Sequence, residues 1–207
     1  MRNGKLNRLV KISLLSVIGF LLMFIEVAVP IFPTFLKIDI SDLPALIGAF
    51  ALGPTAGVAI ELLKNILHGI FKGSTAFVGE FANFAVGTAL VFVAGYIYNK
   101  NKSKKTALIG LLTGSLVMAV VASLLNYFIL LPLYEKVLNF PISAVVAMGH
   151  KLNSNITNLE TFILWSIAPF NLIKGIILSA LTMAVYKSVS PIIHEEGSRA
   201  REFAKNN

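Results

Sequence analysis

Apolar residues run along the chain in long blocks, separated by short stretches that gather the lysines, arginines, prolines and glycines. A basic segment carrying Arg2, Lys5, Arg8 and Lys11 leads into a block from Ile12 to Val29, long enough for a membrane helix. Pro30 and Pro33 break it, and Ile31 to Asp42 reads as a loop with Lys37, Asp39, Ser41 and Asp42. Leu43 to Leu52 is short for a span and must tilt or sink among neighbours. After the Gly53-Pro54 turn come blocks from Thr55 to Phe71 and from Glu80 to Tyr98, joined through Lys72-Gly73-Ser74-Thr75. A polar connection from Asn99 to Lys105 precedes a block from Thr106 to Leu131, which Pro132 should end. Leu133 to Asn158 is a longer connection, with a short interfacial helix expected over Pro141 to Met148. The final block runs from Thr161 to Lys187 before a polar tail.

The pattern predicts an all-α integral membrane protein in one membrane domain over residues 1–207, with six transmembrane helices at 12–29, 43–52, 55–71, 80–98, 106–131 and 161–187. Composition agrees: hydrophobic residues make up 56% of the 207, charged ones 14%, and mean hydropathy is +0.79. The net charge of +8 lies in clusters between apolar blocks, the signature of membrane topology and not of a nucleic-acid face. The first block continues too long, and lacks a following small-residue site, for a cleavable signal. With alternating spans, twelve lysines and arginines fall on the side of the N-terminus and four on the other, which predicts N-in, C-in.

Depth then sorts the polar residues inside the blocks. Asn171 and Lys174, three apart, share a helix face in the outer half of the last span, and Asn126 lies near the outer end of the fifth. A lysine at the centre of a lone span costs roughly 2.5–3.5 kcal/mol, so such a pair points at a neighbouring helix or at a polar ligand. Glu61, Lys64, Asn65, His68 and Lys72 form a stripe along the third span, suited either to an internal network or to ligand contact. Glu80 and Asn83 sit at the outer mouth of the fourth. The inner halves hold little beyond Thr113, Ser115, Ser179 and Thr182, so the expectation is an outward-facing pocket closed below, and neither a channel nor a rocking carrier.

Catalytic chemistry finds no support. His68, His150 and His194 are dispersed, cysteine is absent, and neither zincin, nucleophile-elbow nor P-loop motifs occur. No metal site or resident cofactor is expected, and energy from ATP would have to come from another chain. Gly110 and Gly114 suit helix packing.

Several blocks carry a resemblance in the same order along the chain: Leu36-Lys37-Ile38-Asp39-Ile40-Ser41-Asp42-Leu43-Pro44, Gly53-Pro54-Thr55-Ala56-Gly57, Leu63-Lys64-Asn65, Phe81-Ala82-Asn83-Phe84, Leu125-Asn126-Tyr127-Phe128 with Leu130-Leu131-Pro132-Leu133-Tyr134, and Pro169-Phe170-Asn171-Leu172-Ile173-Lys174-Gly175. In these the chain resembles the riboflavin-specific substrate-binding (S) components of bacterial energy-coupling factor (ECF) transporters, the RibU family. The resemblance implies a multi-pass protein of the bacterial cell membrane that captures riboflavin outside as transported ligand. Delivery would depend on a coupling module of one transmembrane T component and two ATPases. It implies Asn126, Asn171 and Lys174 as ligand-binding residues, Asp39, Ser41 and Asp42 in a covering loop, and Asn83 at the mouth.

An apolar pocket with a few amide and ammonium groups suits a neutral amphipathic tricycle with a polyol tail. Phe81, Phe84, Tyr127 and Trp165 serve either as packing for such a ring or as lipid-facing aromatics. The family's small-residue docking motif on the first helix departs here, with Val17 at one aligned position; Ser13, Ser16 and Gly19 are the small residues left for partner docking. The rival readings are an S component for another vitamin and a stand-alone secondary transporter.

Overall fold

The computed structural model describes the backbone of residues 2–205 and the side chains of residues 4–186. The sequence-predicted inner charges Arg2, Lys187, Arg199, Arg201 and Lys205, and His194, lie outside the described side chains. The chain is mostly helical. Helix α1 spans Arg2–Leu22, α2 Asp42–Leu52, α3 Pro54–Lys72 and α4 Val78–Lys100. Helix α5, Lys104–Leu125, runs through a π-helical turn at Asn126–Leu130 into α6, Leu131–Leu138. After α7, Ile142–His150, the short α8 (Leu159–Phe162) passes through a second π turn at Ile163–Ile167 into α9, Ala168–Lys205.

Among the described residues, three stretches are long and apolar enough to cross a membrane: Val78–Lys100, Lys104–Leu138 and Leu159–Tyr186. The other expected spans differ for identifiable reasons. Helix α2 has 11 residues, as its short apolar block implied. Helix α3 has 19 residues, but its buried Glu61, Lys64 and Asn65 lower its hydropathy. Helix α1 stops at Leu22, seven residues before the Val29 predicted. The apolar residues beyond it belong to a two-stranded ribbon, β1 (Val27–Ala28) antiparallel to β2 (Lys37–Ile38), with Val27 opposite Ile38 and Ala28 opposite Lys37.

Pro132 does not end the fifth block either. A proline lacks an N–H and clashes with the carbonyl four residues back, and a wider π turn just before it takes up that misfit. The same device precedes Pro169, and the two π turns lie against each other. Both asparagines of interest sit beside these turns: Asn126 opens the first, and Asn171 follows the second by one helical turn. Two helix starts carry side-chain caps: Ser103 Oγ accepts from the Thr106 N–H at 3.2 Å ahead of α5, and Asn158 Oδ1 from the Thr161 N–H at 2.9 Å ahead of α8.

Helix α5 shows how the bundle sorts its faces. Leu108, Leu112, Leu116, Val120 and Leu124 are exposed, as a lipid-facing row would be, whereas Ala107, Gly110, Leu111, Gly114 and Met118 are buried. The main core fills one end of the bundle. There Phe50 stacks on Tyr98 with ring centroids 4.4 Å apart, and the Tyr98 and Tyr186 hydroxyls meet at 3.2 Å among Leu46, Ile60, Leu90, Leu111 and Leu178. The opposite end holds a cavity beneath the ribbon.

Close approach of α4 and α5 rests on two glycines. A Cβ on Gly110 would lie 2.8 Å from the Ala94 carbonyl oxygen, and one on Gly114 2.8 Å from that of Leu90. Backbone oxygens cannot swing aside. Gly110→Ala and Gly114→Ala should each therefore destabilise the protein by about 1–3 kcal/mol. Lower melting temperatures in detergent would register this; a double variant melting with the parent would show that the helices are not in contact.

Candidate functional site

Five charged side chains from four segments meet beside the cavity. Lys64 of α3 is fully buried and binds the Asp42 carboxylate directly, with Ser41 Oγ at 2.9 Å and Glu61 Oε2 at 3.0 Å. Lys174 of α9 lies 3.1 Å from Asp39 Oδ2 and 3.1 Å from Asp42 Oδ2. Asp42, at the start of α2, thus bridges two ammonium groups. The Ser41 N–H donates to Asp39 Oδ1 at 2.8 Å, which fixes the end of the loop before α2. Burial works against ionising Asp39, but the Lys174 and Lys64 ammonium groups and the hydrogen bond from Ser41 together outweigh it and hold this loop carboxyl below its ordinary range.

Two glycines make room for this cluster. A Cβ on Gly87 of α4 would lie 2.7 Å from Glu61 Oε2 and 3.1 Å from Asp42 Oδ1. One on Gly19 of α1 would lie 3.2 Å from Lys64 Cδ and 3.2 Å from the Ser41 carbonyl oxygen. Gly87 lines the cavity as well, as do Asp39 and Lys174, so the ion cluster reaches the cavity wall.

The cavity measures about 740 Å³, within the range of about 300–1,000 Å³ typical of small-molecule sites. Asp39, Asn126, Asn171 and Lys174 line one part of it. Asn171 Nδ2 donates to the Ile167 carbonyl at 2.8 Å and Asn126 Nδ2 to that of Ala122 at 2.8 Å, across the two π-helical regions. Each amide keeps a second N–H and a carbonyl oxygen beyond that bond. Apolar lining comes from Met23, Leu36, Val86, Leu130, Leu131, Val145 and Ile167.

A second polar group stands where α3 ends and α4 begins. His68 Nδ1 lies 2.9 Å from Glu80 Oε1, Thr75 Oγ1 donates to Glu80 Oε2 at 3.1 Å, and the Gly79 N–H donates to Thr75 Oγ1 at 3.0 Å. All four residues line the cavity, together with Asn83 and Tyr134. Asn83 Oδ1 and His68 Nε2 are buried without a protein partner. Over the cavity, Phe32 of the loop packs edge-on against Phe170 of α9 with centroids 5.5 Å apart, in a cluster with Ile38 and Ile173. Glu26 and Lys37, flanking the ribbon, pair at 2.6 Å and also line the cavity.

Of the sequence-predicted ligand residues, Asp39, Asn83, Asn126, Asn171 and Lys174 come together on the cavity, whereas Ser41 and Asp42 do not line it. Both are fully buried behind the wall, where Lys64 and Lys174 engage them. The Lys174 ammonium is held by the Asp39 and Asp42 carboxylates while its side chain lines the cavity, so both partners weighed for it, a neighbouring segment and a ligand, stay within its reach. The third-span stripe divides: Glu61 and Lys64 belong to the ion cluster, while His68 lines the cavity. None of Phe81, Phe84, Tyr127 or Trp165 lines it; the aromatic lining is Phe35, Tyr134, Phe140 and Phe170. Phe81 and Trp165 are each 48% exposed, and the Tyr127 hydroxyl donates to Glu160 at 3.0 Å. On α1, Ser16 and Gly19 face inward and only Ser13 of the three expected docking residues is exposed, beside Leu14, Val17, Ile18 and Leu21.

Sequence reasoning put Glu80 at the outer mouth and left His68 open between an internal network and ligand contact, and it did not assign Thr75. The available signal was Glu80 and Asn83 at i,i+3, which puts both on one face of α4. Lys37 and Glu26 were unreadable as lining residues because the ribbon that aligns them was not foreseen.

Comparison with known proteins agrees with this architecture. A family described as "ECF transporter, substrate-specific component" matches residues 7–186. The riboflavin transporter RibU of Staphylococcus aureus (strain TCH60) is 39% identical over 184 residues, covering 89% of this chain and 90% of the relative. The riboflavin transporter FmnP of Bacillus subtilis (strain 168) is 36% identical over 196 residues, 94% of this chain and 97% of its own. A solved structure of the S component of a bacterial ECF transporter superposes with a TM-score of 0.72 at 35% identity, covering 91% of this chain and 98% of that one. With the match running through α1 to Tyr186, the chain belongs to the substrate-specific components of ECF transporters.

Proposed function

We propose that this protein is the riboflavin-binding S component of an ECF-type transporter in the cell membrane. The observation that carries the reading is the cavity itself: apolar and aromatic walls, with the amides of Asn126 and Asn171 in its lining. A neutral ring system with a uracil-like edge needs paired donors and acceptors, which an amide supplies. The similarity to proteins named as riboflavin transporters points to the same ligand.

In this reading six helical segments lie in the bilayer with both ends cytoplasmic. The cavity faces outward, and the packed Phe50–Tyr98–Tyr186 end is on the inside. Asn126 and Asn171 bind the flavin, with Asn83 at the mouth. Lys174 and Asp39 form the polar floor, and Ser41 and Asp42 hold them in place from behind. Phe35, on the loop, and Phe140 cover the ring. The protein acts as a receptor and not an enzyme; riboflavin is cargo, and a coupling module with a T component and two ATPases supplies the energy. The exposed α1 face at Ser13, Leu14, Val17, Ile18 and Leu21 is the docking surface, since Ser16 and Gly19 are already covered from within.

Titrating riboflavin by quenching of its fluorescence tests the binding site. Asn126→Ala and Asn171→Ala should each weaken binding by on the order of 1 kcal/mol, about fivefold. Unchanged affinity in both, with a binding wild type, would place the ligand elsewhere.

Lys174→Met should behave differently, because it leaves Asp39 and part of Asp42 uncompensated. Breaking one partner of a buried pair costs roughly 3–5 kcal/mol, so the melting temperature of the ligand-free protein should fall markedly. The Asn171→Ala protein should melt close to the parent. Equal melting of Lys174→Met and wild type would mean the lysine is not needed to hold the loop to α9.

A further inference from the structure

Charges in this protein are sorted by end. Among the described side chains, every carboxylate belongs to the ion cluster, to the cavity lining, or to α6 and α8 at the same end, which carry Glu135 and Glu160. The opposite end, past the Phe50–Tyr98–Tyr186 packing, holds ammonium groups instead. Lys100 closes α4 and, after a three-residue turn, Lys104 and Lys105 open α5. All three are exposed, and none meets a carboxylate among the described residues. Beneath them both helices turn apolar rows outward. On α4, Phe92, Tyr96 and Lys100 recur four residues apart; the two rings lie 6.2 Å apart with 12° between their planes, and Lys100 Nζ stands 4.7 Å from the Tyr96 centroid. On α5, Lys105, Leu108 and Leu112 repeat that order on one face, and both leucines are exposed. Because α4 and α5 pack together through Gly110 and Gly114, the strips stand on adjacent helices and their cations gather at one turn.

We propose that this turn seats one anionic phospholipid, with its phosphate among Lys100, Lys104 and Lys105 and its acyl chains along the Phe92–Tyr96 and Leu108–Leu112 strips. Three ammonium groups within six residues repel one another until an anion stands among them. A cation at the head of an exposed apolar strip matches a phospholipid end to end. A soluble acidic partner reaches the lysines but not strips sunk in hydrocarbon, and a free phosphate gains nothing from the strips. Lysine stems lie along apolar surface while their heads reach outward, as Lys100 does over Tyr96. The Tyr96 hydroxyl adds a donor at headgroup depth. In the topology proposed above this end is cytoplasmic, the side on which anionic headgroups attract polybasic segments. The seat lies at the far end from the cavity and does not depend on which ligand the cavity takes.

Native mass spectrometry of the purified full chain tests this, with phosphatidylglycerol and phosphatidylcholine of matched chains added in equal amounts. Wild type should retain phosphatidylglycerol over phosphatidylcholine by at least about tenfold, since each ammonium near an anionic headgroup counts for about fivefold. Lys100→Gln, Lys104→Gln and Lys105→Gln combined should abolish the preference. Lys5→Gln, Lys136→Gln and Lys151→Gln combined remove as much charge elsewhere on the exposed surface and should keep it. Phe92→Ala with Tyr96→Ala should weaken retention with the charges in place, and serves if the first triple variant does not fold. Excess glycerol 3-phosphate, a phosphate without chains, should not displace the lipid. Equal retention of the two lipids by wild type overturns the proposal, as does a preference that survives loss of the three lysines or falls equally in both triple variants. Displacement by glycerol 3-phosphate would make the turn a free-phosphate site and overturn it too.

Discussion

Two ammonium groups cannot stay deep in an apolar bundle unless carboxylates stay with them, and Asp42 answers that demand for both at once. Its carboxylate touches Lys64 on one side and Lys174 on the other, with Glu61 and Asp39 completing the two pairs. The four segments that supply these groups are thereby fixed to one another: the loop after the ribbon, the start of α2, the middle of α3 and the first turns of α9. Helices α1 and α4 approach the cluster at Gly19 and Gly87: a Cβ at Gly87 would collide with Glu61 Oε2, and one at Gly19 would press on Lys64 and the Ser41 carbonyl. In this fold the polar cluster adds little net stability over an apolar core of the same size, but it rules out arrangements that separate its members.

How far the sequence could be read follows from the range of each interaction. The apolar blocks and the basic clusters between them are local, so helices α3, α4 and α5 lie within or close to the blocks expected, whereas α9 continues past the expected end at Lys187 to Lys205. The shared face of Asn171 and Lys174 is local too, and both do reach the cavity. The partner of Lys174 is not local: Asp39 is 135 residues away, and nothing in the spacing of either residue announces the other. The same holds for Lys64 and Asp42, 22 residues apart, where the polar stripe was visible but its purpose was left open. Misreadings at the ends of blocks had a different cause. Val27 and Ala28 continue an apolar run but are drawn into a ribbon by β2, and Pro132 looks like a stop because a π turn is not encoded in hydrophobic periodicity. Aromatic residues were the least legible, since Phe35 and Phe140 on connections line the cavity while Phe81 and Trp165 within spans face outward.

The bridging carboxylate also sets what movement the loop can make at low cost. Lys174 has one partner on the loop, Asp39, and one on a helix, Asp42. Were the loop to lift, taking Asp39 with it, the ammonium would keep Asp42 and avoid standing alone in a dry site. A single-partner lysine would resist the same displacement by the several kcal/mol that an unpaired buried charge costs. The apolar contact of Phe32 with Phe170, and the Ser41–Asp39 turn that joins the loop to α2, then decide how firmly the cover sits. Charge compensation from the helix side leaves any lifting of the loop to be governed by these weaker contacts, which is what the proposed riboflavin receptor would require of a cover.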